Sequence, residues 1–330
     1  MYILVTNNHL KVAGGTETFT YTIIEELLKD GHNVEYFCIE KGEISDRIEK
    51  DLKVHFSTRN NYDLILANHN STIAKIHKKG VVIQTCHGIF SHLEQPTMCA
   101  NGFISISPEV QTHLLKYGFQ STVIYNGINC NKYKPVKKIR NVNIKVLSLC
   151  HSVEAHKMVE EACNILGYEF GKLDKYTDNK WNVAEIINEY DIVVGLGRSA
   201  YEAMACGRPV IFFDKRRYSK SYGDGYFIDV LPVSMNNNCS GRALKIEYTV
   251  DLLVEDLKKY KPEHGIIARN IALNSFNIEK SVKKYFEYYN LLKNQKRKKT
   301  QRILKHYTPE LIKLIIKTLL PEKILMKLRN

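Results

Sequence analysis

The feature that most constrains this chain is an alternation of two periodicities. Short apolar runs are followed repeatedly by segments whose apolar residues recur at helical spacing. Tyr2–Thr6 reads as a strand, and Phe19, Ile23, Ile24, Leu27 and Leu28 then trace one helical face until Gly31 stops it. Further strands are expected at Asn33–Ile39, Asp63–Ala67, Val81–Thr85, Gly102–Ile106 and Thr122–Tyr125, with helices at Ser71–Lys79 and Pro108–Tyr117. A helix between two strands carries the chain back so that the strands run parallel, which predicts α/β layers with helices covering a sheet.

The alternation pauses once, at the polar and basic stretch Asn131–Asn143, and then restarts. Strands are expected at Ile144–Leu149, Asp191–Val194 and Pro209–Phe213, and helices at His156–Leu166, Val183–Glu189 and Ala200–Ala205, with closing helices from Val250 to Leu292. A chain of 330 residues exceeds one usual domain of about 100–200. The expected organisation is two Rossmann-like, doubly wound domains, 1–135 and 136–292, joined by that stretch, with a separate tail at 293–330.

Composition removes several classes. A chain 44% hydrophobic and 25% charged is that of a globular protein and not a disordered one. No apolar run reaches the roughly 18 residues of a spanning helix. The N-terminal apolar run turns polar at Thr6-Asn7-Asn8-His9, too soon for a secretion signal. The eight cysteines are scattered without CxxC pairs, mostly in apolar runs, and are expected to be reduced and buried. The net charge of +13 is concentrated in the tail, where twelve Lys and Arg against two acids from Lys293 onward account for +10.

Two glycine turns lie where parallel sheets hold ligands. Gly14-Gly15-Thr16-Glu17 follows the first strand and opens a helix. Backbone N–H groups there suit an anionic or hydroxylated ligand; equally, the turn is a simple connection with Thr16 as N-cap. It has neither the GxGxxG nor the GxxxxGK[ST] fingerprint. The second turn, Gly195-Leu196-Gly197-Arg198-Ser199, ends a buried strand and starts a short helix. Arg198 has the geometry to clamp phosphate oxygens, Ser199 and the helix N-terminus add donors, and Glu202 suits a ribose diol. The competing reading makes Arg198 and Glu202 an i,i+4 ion pair on the surface.

These segments resemble the GT-B glycosyltransferases, in particular the large retaining group that uses nucleotide sugars. The resemblance rests on Arg198-Ser-Ala-Tyr-Glu-Ala-Met-Ala-Cys-Gly-Arg-Pro-Val-Ile211, on Ser105-Ile-Ser-Pro-Glu-Val110 with Val123-Ile-Tyr-Asn-Gly-Ile-Asn129, on Gly14-Gly15-Thr16 and on His87-Gly88, and it covers about residues 1–290. It implies two domains facing across a cleft, an acceptor domain first and a donor domain second. It also implies that Gly14 and Gly15 lie near donor phosphates or acceptor, that His87 meets the transferred sugar, and that Glu202 holds the ribose. A histidine at a strand end is otherwise a structural, hydrogen-bonded residue.

The sequence departs from that family at two points. Relatives carry a second glutamate eight residues before Glu202, where this chain has Val194. They also place an Arg and a Lys after the first strand of the second domain; Lys157 matches the latter, and the Arg has no counterpart in Ser148–Lys157. Arg198 is the candidate to take over phosphate neutralisation, with Gly197, Ser199 and, more weakly, Arg242 on the donor side. No DxD motif or ligand-spaced His/Cys cluster suggests a metal, so fixed cations and helix N-termini are expected to stabilise the leaving UDP or GDP.

In the tail, Leu311, Ile312, Ile315, Ile316, Leu319 and Leu320 share one helical face, opposite Lys313 and Lys317. A basic amphipathic helix of this kind binds anionic membrane surfaces, or packs on the body or on another subunit. The resulting expectation is a cytoplasmic, membrane-peripheral glycosyltransferase of polysaccharide biosynthesis, acting on a glycan or lipid-linked acceptor. The alternatives are transfer to a modified DNA base, with the tail as an electrostatic footprint, and a nucleotide-sugar-binding protein without catalysis.

Overall fold

The computed structural model describes residues 1–173, 181–216 and 222–294. They form two compact units, one of residues 1–124 with the chain from Ser281 onward, the other Tyr125–Lys280. The predicted tail lies outside the described residues from 295 on.

The first unit contains β1 (Tyr2–His9), α1 (Gly15–Lys29), β2 (Asn33–Glu40), α2 (Glu43–Asp51), β3 (Leu64–Ala67), α3 (Asn70–Ile76), β4 (Val81–Cys86), β5 (Gly102–Ser105), α4 (Pro108–Lys116) and β6 (Thr122–Val123). Its sheet has the order β2-β1-β3-β4-β5-β6 and is parallel throughout. Every residue of β3 is buried, as a strand covered on both faces requires. Because β1 pairs with β2 on one side and β3 on the other, the connections leave β1 in opposite directions. The carboxyl ends of β1 and β3 therefore flank an open crevice.

The second unit contains β7 (Lys145–Ser148), α5 (Val153–Leu166), β8 (Glu169–Lys172), α6 (Val183–Asn188), β9 (Ile192–Val194), α7 (Arg198–Ala205), β10 (Val210–Phe213), β11 (Tyr222–Tyr226), α8 (Phe227–Ser234), β12 (Ile246–Glu247), α9 (Val250–Lys258), α10 (His264–Ser275) and the start of α11 (Ile278–Asn294). The order is β12-β11-β10-β9-β7-β8, parallel except for β11, which runs antiparallel to both its neighbours, β10 and β12. Here the switch point lies between β7 and β9. The core is built from Val146, Val193, Val194, Ile211 and Phe212, with Tyr201 stacked on Phe276 at 3.7 Å.

Two expectations are revised. The polar stretch at 131–143 is no free linker, and the boundary falls at Ile124/Tyr125 instead of 135/136. Its backbone is held by buried side chains of the second unit. Asn188 Oδ1 accepts the Val136 N–H at 2.8 Å, Asp191 Oδ1 accepts that of Arg140 at 2.8 Å, and the buried Arg208 donates to Lys137 O at 2.9 Å. The C-terminal helices are also not all part of the second unit, since from Ser281 onward α11 belongs to the first. There Tyr285 Oη meets Thr85 Oγ1 at 2.8 Å and Tyr289 Oη donates to Asp63 O at 2.9 Å. All eight cysteines are free, and all but Cys99 are buried.

Candidate functional site

At the carboxyl edge of the second unit, two helices begin beside the switch point. Helix α7 starts at Gly197, whose φ of +56° with ψ of −123° is open to glycine and strained for any other residue. The Gly197 N–H donates to Cys239 O at 2.9 Å, and Asn238 and Cys239 both sit at positive φ, so this turn packs on a second strained turn. No side chain caps α7.

Arg198 and Glu202 are paired: Nε donates to Oε1 at 2.8 Å, and Arg198 Nη1 donates to Gly127 O at 3.3 Å. The pair is not superficial, with side chains only 14% and 10% exposed. Tyr133 also bonds Glu202, and burial with that carboxylate pushes the Tyr133 phenol well above its ordinary range. Glu202, one turn into α7, is thus fixed by two partners, and Ser199 in the first turn is half-buried.

Helix α5 is capped by Ser152, which accepts the Ala155 N–H. Buried His156 places Nδ1 2.8 Å from Ser148 Oγ, whereas Lys157 is exposed on the next position. Arg242 is half-buried and faces Asp224, whose carboxyl is raised by burial although Ser234, Leu244 and Arg242 oppose that shift. Val194, at the position of the family's first glutamate, is fully buried in the core, where a carboxylate would be desolvated without a partner.

A cation at this edge that sequence reasoning did not single out is Arg216. Asp214, fully buried just after β10, accepts the His151 N–H at 2.9 Å, the Lys215 N–H at 2.8 Å and Arg216 Nε at 2.8 Å. It therefore ties a guanidinium to the loop that enters α5, the loop lacking the family's arginine. Asp214-Lys215-Arg216 follows a parallel strand at its carboxyl end, and that position was the available signal.

In the first unit, Gly14 is the N-cap of α1, Gly15 begins the helix, and no side chain caps it. Thr16 is not the N-cap; its hydroxyl donates to Glu17 Oε1 at 2.9 Å. A Cβ on Gly14 would collide with the Glu17 carboxylate, which reaches His9 Nδ1 at 3.2 Å. His87, at the end of β4, is buried with Nε2 3.1 Å from Asn68 Oδ1. Asn68 Nδ2 donates to Thr20 Oγ1, so Oδ1 is the acceptor and the His87 proton sits on Nε2. Burial lowers the pKa of both His69 and His87 to about 3, which keeps both rings neutral. His69 and Glu94 were not singled out by sequence, because they lie on different elements with no shared spacing.

Among the described residues no group of three His, Cys, Asp or Glu is placed to hold a metal ion. None of the described helices is long and apolar enough to cross a membrane.

No protein-family model and no curated protein sequence matches the chain. Solved structures do. A glycosyltransferase from Rickettsia africae superposes with a TM-score of 0.57 at 17% identity, over 89% of this chain and 99% of that one. A glycosyltransferase involved in avilamycin A biosynthesis gives 0.57 at 14% identity, over 89% and 98%. An alpha-glucosyltransferase in complex with UDP and a 13-mer DNA gives 0.51 at 13% identity, over 88% and 99%. The two doubly wound units therefore have the GT-B fold.

Proposed function

We propose that this chain is a glycosyltransferase that moves a sugar from a nucleotide-sugar donor to a hydroxyl of a glycan or lipid-linked acceptor, with retention and without a metal. The observation that carries the reading is the switch point of the second unit, set in a GT-B fold. There Glu202 is held by Arg198 and Tyr133, and Arg216 is anchored by Asp214 at the entry to α5. In this reading Glu202 takes the ribose diol. Arg198, Arg216, Lys157 and the Ser199 N–H at the α7 N-terminus meet the diphosphate as its charge develops, with Gly197 shaping the turn that aims them. Gly14, Gly15, Thr16 and His87 serve the sugar and acceptor from the first unit, and Arg242 supports the donor turn through Asp224. Transfer to a base in DNA is the second reading, favoured by the likeness to the DNA-bound alpha-glucosyltransferase.

The test is incubation of the full chain with a panel of UDP- and GDP-sugars. Slow release of the nucleoside diphosphate from one of them is expected, and Arg198→Ala and Arg216→Ala should each weaken nucleotide affinity about tenfold or more, as loss of a charge-assisted contact does. Absence of both binding and turnover across the panel would overturn the reading.

A further inference from the structure

At the carboxyl edge of the first unit's sheet, a small group of polar side chains is left over by the donor chemistry. Glu94 lies on the loop after β4, with its Oε2 so close to the His87-Gly88 turn that a Cβ on Gly88 would stand 2.6 Å from it. None of the described residues donates a hydrogen bond or a positive charge to this carboxylate. Glu17 is its electrostatic neighbour and is itself buried.

The loop that carries Glu94 is clamped. Asn70 Nδ2 donates to His92 O at 2.8 Å and to Gln95 O at 3.1 Å, and Gln84 Nε2 donates to Gln95 O at 2.7 Å. The fold thus spends two buried amides on holding one carboxylate beside another, a placement that costs stability unless a ligand completes it.

His69 supplies the complementary group. It is 3% exposed, and its Nδ1 accepts the Asn8 N–H at 3.1 Å, so its proton is on Nε2. That N–H has no acceptor among the described residues. The ring lies against His9 at 5.8 Å, and the His9 side chain is 38% exposed, so the group opens toward solvent on that side.

We propose that Glu94, Glu17 and His69 form a binding site for a neutral, hydroxyl-rich ligand, the sugar moiety of the acceptor, with the carboxylates accepting from its hydroxyls and His69 Nε2–H donating to one of them. A hydroxyl both donates and accepts, and so satisfies this mixed set, whereas a phosphate would meet two carboxylates at close range. Burial and the neighbouring Glu17 raise the Glu94 pKa to about 7, as a carboxylate without a cation requires. The inference rests on the proposed transfer in naming the ligand an acceptor, and it selects a glycan over nucleic acid.

The full chain is applied to an array of defined neutral oligosaccharides and, separately, to a 13-base-pair duplex DNA, while UDP binding is measured in solution. Retention on at least one oligosaccharide is expected, weakened about tenfold or more by Glu94→Gln and by His69→Phe, with unchanged UDP affinity and with Glu94→Gln melting no lower than the wild type. Glu94→Asp should retain part of the binding. Retention on no oligosaccharide, or equal retention of wild type and Glu94→Gln, overturns the site, as does DNA binding lost in Glu94→Gln. Oligosaccharide binding in a protein that binds and turns over no nucleotide would leave this site standing and remove the transferase reading.

Discussion

At the scale of single residues, Glu94 is expensive to keep where it lies. Its carboxyl titrates near 7 in the folded chain and near 4.5 when unfolded. Between those values the native state holds a proton that the unfolded state has released. The stability this residue contributes is therefore full below about pH 4.5 and lost as pH rises through 7. The shift corresponds to a penalty on the order of 3 kcal/mol at pH 8. Glu94→Gln should accordingly raise the melting temperature at pH 8 by several degrees and leave it nearly unchanged at pH 4.5, read by calorimetry at both pH values. His69 and His87 act in the opposite direction. Their neutral rings lose stability as pH falls below 6.5 toward about 3, so the comparison of variants at one pH, and not the wild-type profile, isolates Glu94. The Arg198–Glu202 pair belongs to this scale too. Its i,i+4 spacing made the pair legible in the sequence, but its burial was not, because Tyr133 comes from the stretch that reads as linker and Gly127 from the segment just before it.

Among the elements, α7 is the one whose start is most constrained. Residues Arg198–Ala205 bury Ala200, Tyr201, Ala203 and Met204, and the helix is aimed by the Gly197 turn, packed against Asn238 and Cys239. Gly197→Ala would force a Cβ into a φ/ψ combination that costs about 1–3 kcal/mol. The expected result is a lower melting temperature together with a disproportionate loss of UDP affinity, because the N-terminal N–H groups of α7 would be re-aimed. Unchanged UDP binding in a folded variant would separate this turn from the nucleotide. Several elements escaped the sequence reading for a common reason. Strand β8, Glu169-Phe-Gly-Lys172, has no fully buried residue, and β12 is exposed, so neither carries an apolar run. Helix α2 buries only Ile44, Ser45 and Ile48, too few for its period to stand out.

For the whole molecule, charge is distributed unevenly. Residues 1–292 carry only +3 of the +13, and the remainder lies from Lys293 onward. The partner of the tail is accordingly separable from the chemistry of the two units. Deleting residues 295–330 should abolish sedimentation with vesicles rich in anionic lipid while leaving nucleotide binding and melting of the remaining chain intact. Retained sedimentation would move the membrane contact to the body, and loss of DNA binding in its place would favour the nucleic-acid reading. The chain also crosses between the two units twice, at Tyr125 and again within α11. The second crossing was invisible in the sequence because α11 is one continuous helix whose period does not change where its partners do.

What the sequence by itself determined is the class of fold and the positions of most elements, since periodicity records which face of each segment is buried. It likewise located the Gly195–Ser199 turn, because a glycine-bounded strand end followed by a helix start is a local pattern. Tertiary structure alone decided who meets whom. Asp214 binds the backbone of His151 sixty-three residues away, His69 meets Asn8 across the β1–β3 crevice, and Glu94 is pressed against the turn after β4. Those contacts follow from the order of strands in each sheet, and strand order is set by which covered faces pack best, a property no single segment encodes.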